Sequence, residues 1–167
     1  MLQFLIMVIF PAGLILAAVN DLATMTISNW ISIVLIGSFV VLSVAVGMSL
    51  EQIAWHFAAG AVVLAGCFAM FAFNLLGGGD AKLLTAAALW FGWSDLMTLL
   101  LMTAVMGGPL CLAILFFRRL PLPDWAFKQG WLNRLHDPKR GVPYGVAICA
   151  AGLLYYTDTP MVTALAA

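Results

Sequence analysis

AKLLTAAALWFGW (81–93), then Ser94, then DLMTLLLMTAVMGGPLCLAILFF (95–117) is the stretch on which the fold depends. Its second part is long enough to cross a bilayer, whose hydrocarbon core takes roughly 20 apolar residues of helix. Its first part has 13 residues, about 20 Å of helix. It crosses only where the bilayer is thin or where flanking residues join it. Whether it crosses sets the parity of the whole chain.

Outward from that stretch, four more apolar segments stand out, at 2–19, 30–48, 53–73 and 142–157. The chain of 167 residues is 65% hydrophobic and 8% charged, whereas a soluble domain carries about 25% charged residues. Disorder needs the opposite composition. The expected fold is therefore all-α, a polytopic membrane protein of about six transmembrane helices forming one domain over 1–167. Lys+Arg and Asp+Glu number seven each, so no basic footprint for nucleic acid exists. The first segment lacks the basic n-region of a signal peptide, since no Lys or Arg precedes Lys82. It reads as a retained span.

Six of the seven basic residues lie in 118–141. The positive-inside rule makes that loop cytoplasmic. With six spans, the 20–29 and 74–80 loops fall on the same side, and Lys82 with them. Within the loop, Asp124 can cap a short helix and Phe127, Trp131 and Leu135 share one face. The loop reads equally as an interfacial helix or as a plain basic anchor.

Seven acids are present. Glu51, Asp95, Asp124, Asp137 and Asp158 read as solvated loop charges. Asp21 and Asp80 sit against apolar sequence at span ends, where ionisable groups are expensive and usually functional. Asp80 follows Gly77-Gly78-Gly79, a run that ends a helix and lets another backbone approach. Alone, that run also fits a C-cap followed by an N-cap aspartate. Brought together, the two carboxyls would form a dyad in which one keeps a proton. The ionised member would activate water and the protonated one would polarise a scissile carbonyl. No metal or other cofactor is implied. Cys67, Cys111 and Cys149 have no pair spacing and read as packing residues. His56 and His136 fall on opposite faces, and His56 beside Trp55 reads as interfacial. Trp90, Trp93, Trp125 and Trp131 fit interfacial belts. No serine has a histidine partner at a matching depth.

These residues carry a resemblance. Gly77-Gly78-Gly79-Asp80 is a GxGD motif, continued by Ala81-Lys82-Leu83-Leu84. Upstream, Asp21 with Ile27-Ser28-Asn29 resembles an Asp…Ile-Pro-Asn element, with Ser28 in place of the proline. Downstream, Gly141-Val142-Pro143-Tyr144-Gly145 resembles a Pro-Tyr-Gly helix start. Together they are similar to the type IV prepilin leader peptidases, the GxGD aspartic proteases, in the short form found with tight-adherence (Flp) pili. The resemblance implies a six-helix protein of the bacterial inner membrane, with Asp21 and Asp80 catalytic on the cytoplasmic face. Gly77, Gly78 and Gly79 would form the active-site loop, supported by Lys82, Asn29, Pro143, Tyr144 and Gly145. The implied substrates are membrane-inserted prepilins, cut after a glycine that ends a short basic leader. Larger members also methylate the new N-terminus and carry an insertion with paired cysteines. This sequence has no such pair, so peptidase action without methyl transfer is expected. Two other classes fit the composition: a small proton-coupled transporter using Asp21 and Asp80, and a membrane assembly subunit. Preflagellin-type and signal-peptide or presenilin-type GxGD peptidases are the enzymatic alternatives.

Overall fold

In a computed structural model describing residues 1–123 and 128–163, every regular element is helical. The helices are α1 (Leu2–Thr24), α2 (Asn29–Val46), α3 (Leu50–Ala72), α4 (Gly78–Phe117), α5 (Gly130–His136), α6 (Tyr144–Tyr155) and α7 (Pro160–Thr163). A 3₁₀ turn, Tyr156–Asp158, joins the last two. Helices α1 to α4 are long and apolar enough to cross a membrane. Among the described residues there are four such helices, rather than six. Two of the six apolar segments merge in α4, and the last forms α6, a helix of only 12 residues.

Helix α4 has 40 residues, and straight it would measure about 60 Å. Asp80 and Cys111 nevertheless line one cavity, although a straight helix would hold them about 46 Å apart. The element therefore doubles back into two arms, 78–91 and 93–117. The reversal is at Gly92, with φ 72° and ψ −175°, a conformation open essentially only to glycine. The sequence reading put this break at Trp93–Asp95, where the polar residues are. The backbone turns one residue earlier, because only Gly92 can take that geometry.

The first arm is short because it is the core of the bundle. Ala81 and Leu83–Gly92 are all buried. Helices α1, α2, α3 and α6 pack on α4. An all-round apolar helix rich in Ala suits such a position. Trp90, read above as interfacial, is fully buried two residues before the reversal. Its indole N–H donates to the Leu35 carbonyl at 3.0 Å, and its ring lies 5.0 Å from that of Phe10. His56 also departs from its interfacial reading. It is buried, donates from Nδ1 to the Leu89 carbonyl at 2.6 Å and stacks on Phe39. Trp55 and Trp93 do sit exposed together near the reversal.

A β-carbon at Gly92 would fall 2.6 Å from the His56 ring. Gly92→Ala therefore combines a forbidden backbone conformation with a clash. The expected loss is at least about 2 kcal/mol, seen as a lower midpoint of thermal unfolding in detergent. His56→Ala added to it should recover only the clash. An unchanged midpoint would show that the reversal lies elsewhere.

Among the loop residues 118–141, α5 forms over Gly130–His136. Leu135 is buried and Trp131 is exposed. Asp124, Trp125 and Phe127 lie outside the described residues. Two of the basic side chains here, Arg134 and Arg118, bind backbone. Arg134 donates to the Ala23 carbonyl at 2.6 and 3.2 Å, capping the end of α1. Arg118 donates to the carbonyls of Leu135, Arg140 and Gly141.

Candidate active site

Asp21 lies in the last turn of α1. The helix ends because Met25 takes the left-handed conformation (φ 58°) and its N–H closes on the Asp21 carbonyl at 2.7 Å. Asp80 lies in the first turn of α4. Gly77 is the N-cap, so Asp80 sits at the third helical position and not at the N-cap that the alternative reading of the run gave it. From there its carboxylate reaches back towards the Gly77 amide, as an acidic third residue does in a capping box.

A third helix completes the arrangement. Pro143 is the N-cap of α6, and the first amides of a helix have no partner within it. One of them, on Gly145, donates to Asp21 Oδ2 at 2.8 Å. The same amide faces Asp80. Asp21 and Asp80 are 5% and 9% exposed, and each meets the positive end of a helix, where negative charge is favoured. Asp80 Oδ1 is buried and has no hydrogen-bond partner among the described residues. Unpaired buried oxygens are rare and call for an explanation. Both aspartates line a cavity of about 520 Å³ bounded by Met25, Asn74, Cys111 and Tyr144. They also line a second cavity of about 300 Å³, between the 25–29 loop and the glycine turn.

The three glycines are not equivalent. A β-carbon on Gly77 would lie 2.7 Å from Asp80 Oδ2, and one on Gly79 would press on Ile27 at 3.1 Å from its Cβ and 3.2 Å from its backbone nitrogen. On Gly78 it would meet only the Phe71 ring, at 3.4 Å. The pattern GxGD thus follows from the packing. The first glycine clears the carboxylate, the third lets the turn lie on Ile27, and the middle position has room.

Gly145 is equally constrained. A β-carbon there would lie 2.9 Å from Asp21 Oδ2 and 3.0 Å from Ile27 Cδ1. Gly145→Ala should push the Asp21 carboxyl out of place. We expect kcat to fall by about 10² or more, since small misplacements at a reacting centre cost that much. Steady-state cleavage by a folded variant checks this, and full activity would remove Gly145 from the site.

Of the other residues the sequence suggested, Tyr144 lines the larger cavity, with its hydroxyl resting on Gly107. Lys82 Nζ donates to Asn29 Oδ1 at 2.8 Å. That pair joins the starts of α2 and α4 beside the glycine turn. Sequence reasoning noted Ile27 only within its motif and missed Gly107 and Arg134 as parts of the site. Arg134 holds the α1 end two residues from Asp21, and no local pattern announces a contact 111 residues away. Among the described residues, no three of His, Cys, Asp and Glu come together. What the arrangement offers chemically is two buried carboxyls, one unfilled oxygen and space for a peptide and a water.

Residues 8–112, which contain both aspartates and the glycine turn, match the family described as the type IV leader peptidase family. No curated protein and no solved structure matches the chain.

Proposed function

The chain belongs to the type IV leader peptidase family, and from that premise we propose that Asp21 and Asp80 are the catalytic pair with which it hydrolyses prepilin leaders. It is a membrane-spanning aspartic-type peptidase of the inner membrane that acts on prepilins. The observation that carries the assignment of the pair is the shared cavity, with the Gly145 amide on Asp21 and an unfilled oxygen on Asp80.

Two carboxyls facing one cavity hold a single proton between them. The ionised member takes a proton from water, and the resulting hydroxide bonds to the scissile carbonyl carbon. The protonated member gives its proton to the carbonyl oxygen as the C=O π bond opens. The tetrahedral intermediate then collapses: one of its hydroxyls returns its proton to the ionised carboxylate as the C=O bond re-forms, the C–N bond breaks, and the leaving nitrogen takes the proton held by the other carboxyl, which restores the singly protonated dyad.

The two arms of α4 and the short α6 bring the proposed number of crossings to six. In that topology the 118–141 loop and both aspartates face the cytoplasm, where the basic leader of the substrate lies. The six basic residues of the loop set orientation and meet anionic lipid. The reaction ends at hydrolysis, without methyl transfer. Co-expression with a tight-adherence-type prepilin tests this reading. The prepilin should lose its leader, seen as a gel shift, and the product's mass should show an unmethylated N-terminus. Retention of the leader beside a correctly inserted chain would overturn the peptidase assignment.

A further inference from the structure

The Gly145–Asp21 contact joins the start of α6 to the end of α1. Farther along, these two helices are locked by packing. Gly152 lies so close to α1 that a β-carbon would fall 2.4 Å from Leu14 Cδ1. The Tyr156 hydroxyl donates to the Ile6 carbonyl at 2.6 Å. Those contacts are roughly 10 Å of helix or more from Gly145. At the dyad end, α6 meets Asp21 and Ile27 through a glycine, which has no side chain with which to grip them.

Two arginines of the 118–141 loop fasten that end. Arg134 donates from Nε and Nη2 to the carbonyl of Ala23, two residues after Asp21. Arg118 donates from Nε to the carbonyl of Leu135, which follows Arg134, at 2.9 Å. Its Nη2 donates to the carbonyls of Arg140 and Gly141 at 3.0 and 2.8 Å. Only Val142, Pro143 and Tyr144 stand between Gly141 and Gly145, and the ring of Pro143 stiffens that short run. These links close a ring. It runs from Ala23 through Arg134 and Leu135 to Arg118, on to Gly141, along the chain to Gly145, and across to Asp21 on the helix where it began.

We propose that Arg118 and Arg134 are positioning residues for the dyad, a clamp that keeps the Gly145 amide on Asp21. This inference rests on the peptidase reading above. The charge of both arginines counts towards orientation, as that of the other basic residues in the loop does. The clamp needs more than charge. One guanidinium of Arg118 meets three carbonyls, a fork that the single ammonium of lysine does not reproduce.

Two measurements test it. In lipid vesicles, Arg118→Gln and Arg134→Gln should each lower kcat for prepilin at least about 10-fold, as displaced reacting groups do. KM should stay within about twofold, because contacts with substrate are untouched. Arg119→Gln removes the same charge from an exposed neighbour and should keep the parent's kcat and KM. Arg118→Lys should not recover kcat. Full recovery by lysine, or an equal loss in Arg119→Gln, would show that charge alone matters and would overturn the clamp. The second measurement needs no substrate. Hydrogen exchange at the Gly145 amide should quicken at least about 10-fold in Arg118→Gln and Arg134→Gln, as for a local opening, and not in Arg119→Gln. Amides of the buried arm 83–91 should stay protected. Unchanged exchange at Gly145, or protection lost throughout that arm, would overturn the proposal. Failure of the unsubstituted chain to cleave prepilin would count against the peptidase reading, while exchange would still decide whether the clamp holds Gly145.

Discussion

Asp21→Asn and Asp80→Asn should each abolish prepilin cleavage while leaving the helices in place. Each substitution is nearly isosteric, so packing is kept. What is lost is one half of a proton exchange in which neither half works alone. Positioned acid or base groups contribute about 10²–10⁴-fold each, and an amide can neither accept the water's proton nor hand one on. At Asp21 the Gly145 amide still finds an acceptor oxygen, so that variant should fold as the parent does. Circular dichroism and unfolding in detergent check the fold, and timed gel-shift assays check the rate. The parent enzyme should show a bell-shaped dependence of rate on pH. Activity falls on the acid side as the base takes up a proton, and on the alkaline side as the acid loses its own. Those limbs belong to the pair, not to either residue.

The second large effect falls on the glycine turn, and its pattern is more telling than its size. Gly77→Ala and Gly79→Ala should reduce cleavage by about 10²-fold or more, because each displaces an element of the reacting geometry. Gly77→Ala drives a methyl into the Asp80 carboxylate, and Gly79→Ala lifts the turn off the Ile27 backbone. Gly78→Ala meets only the Phe71 ring, at ordinary van der Waals distance, and should keep cleavage within about twofold. It should also gain slightly in stability, since alanine restricts the unfolded chain more than glycine does. Equal damage at all three positions would mean that the turn needs flexibility rather than clearance.

Much of this was legible in the sequence because charge is scarce in it. In a chain with 14 charged side chains (Asp, Glu, Lys and Arg) among 167 residues, Asp21 and Asp80 stand out against apolar neighbours. Both line one cavity, a closeness that the expected topology allowed but did not give. Other parts resisted for physical reasons. The α4 reversal sits at a backbone conformation, not at the polar residues, so reading polarity placed it slightly late. Trp90 and His56 look interfacial because aromatic and polar groups near span ends often are. Their burial arises only when α2, α3 and the first α4 arm close around them. The Gly145 amide is a backbone group that no residue pattern exposes. Arg134, expected to be one basic residue among six, ties α5 to the α1 end through a carbonyl.

The pairing of the two aspartates is tested most directly by comparing purified Asp21→Asn, Asp80→Asn and the double variant on one prepilin in one lipid. Groups that act as a unit lose their function together. The double variant should therefore be no slower than the slower single one. Losses that multiply, or a single variant that still cleaves at the parent rate, would contradict a shared catalytic dyad.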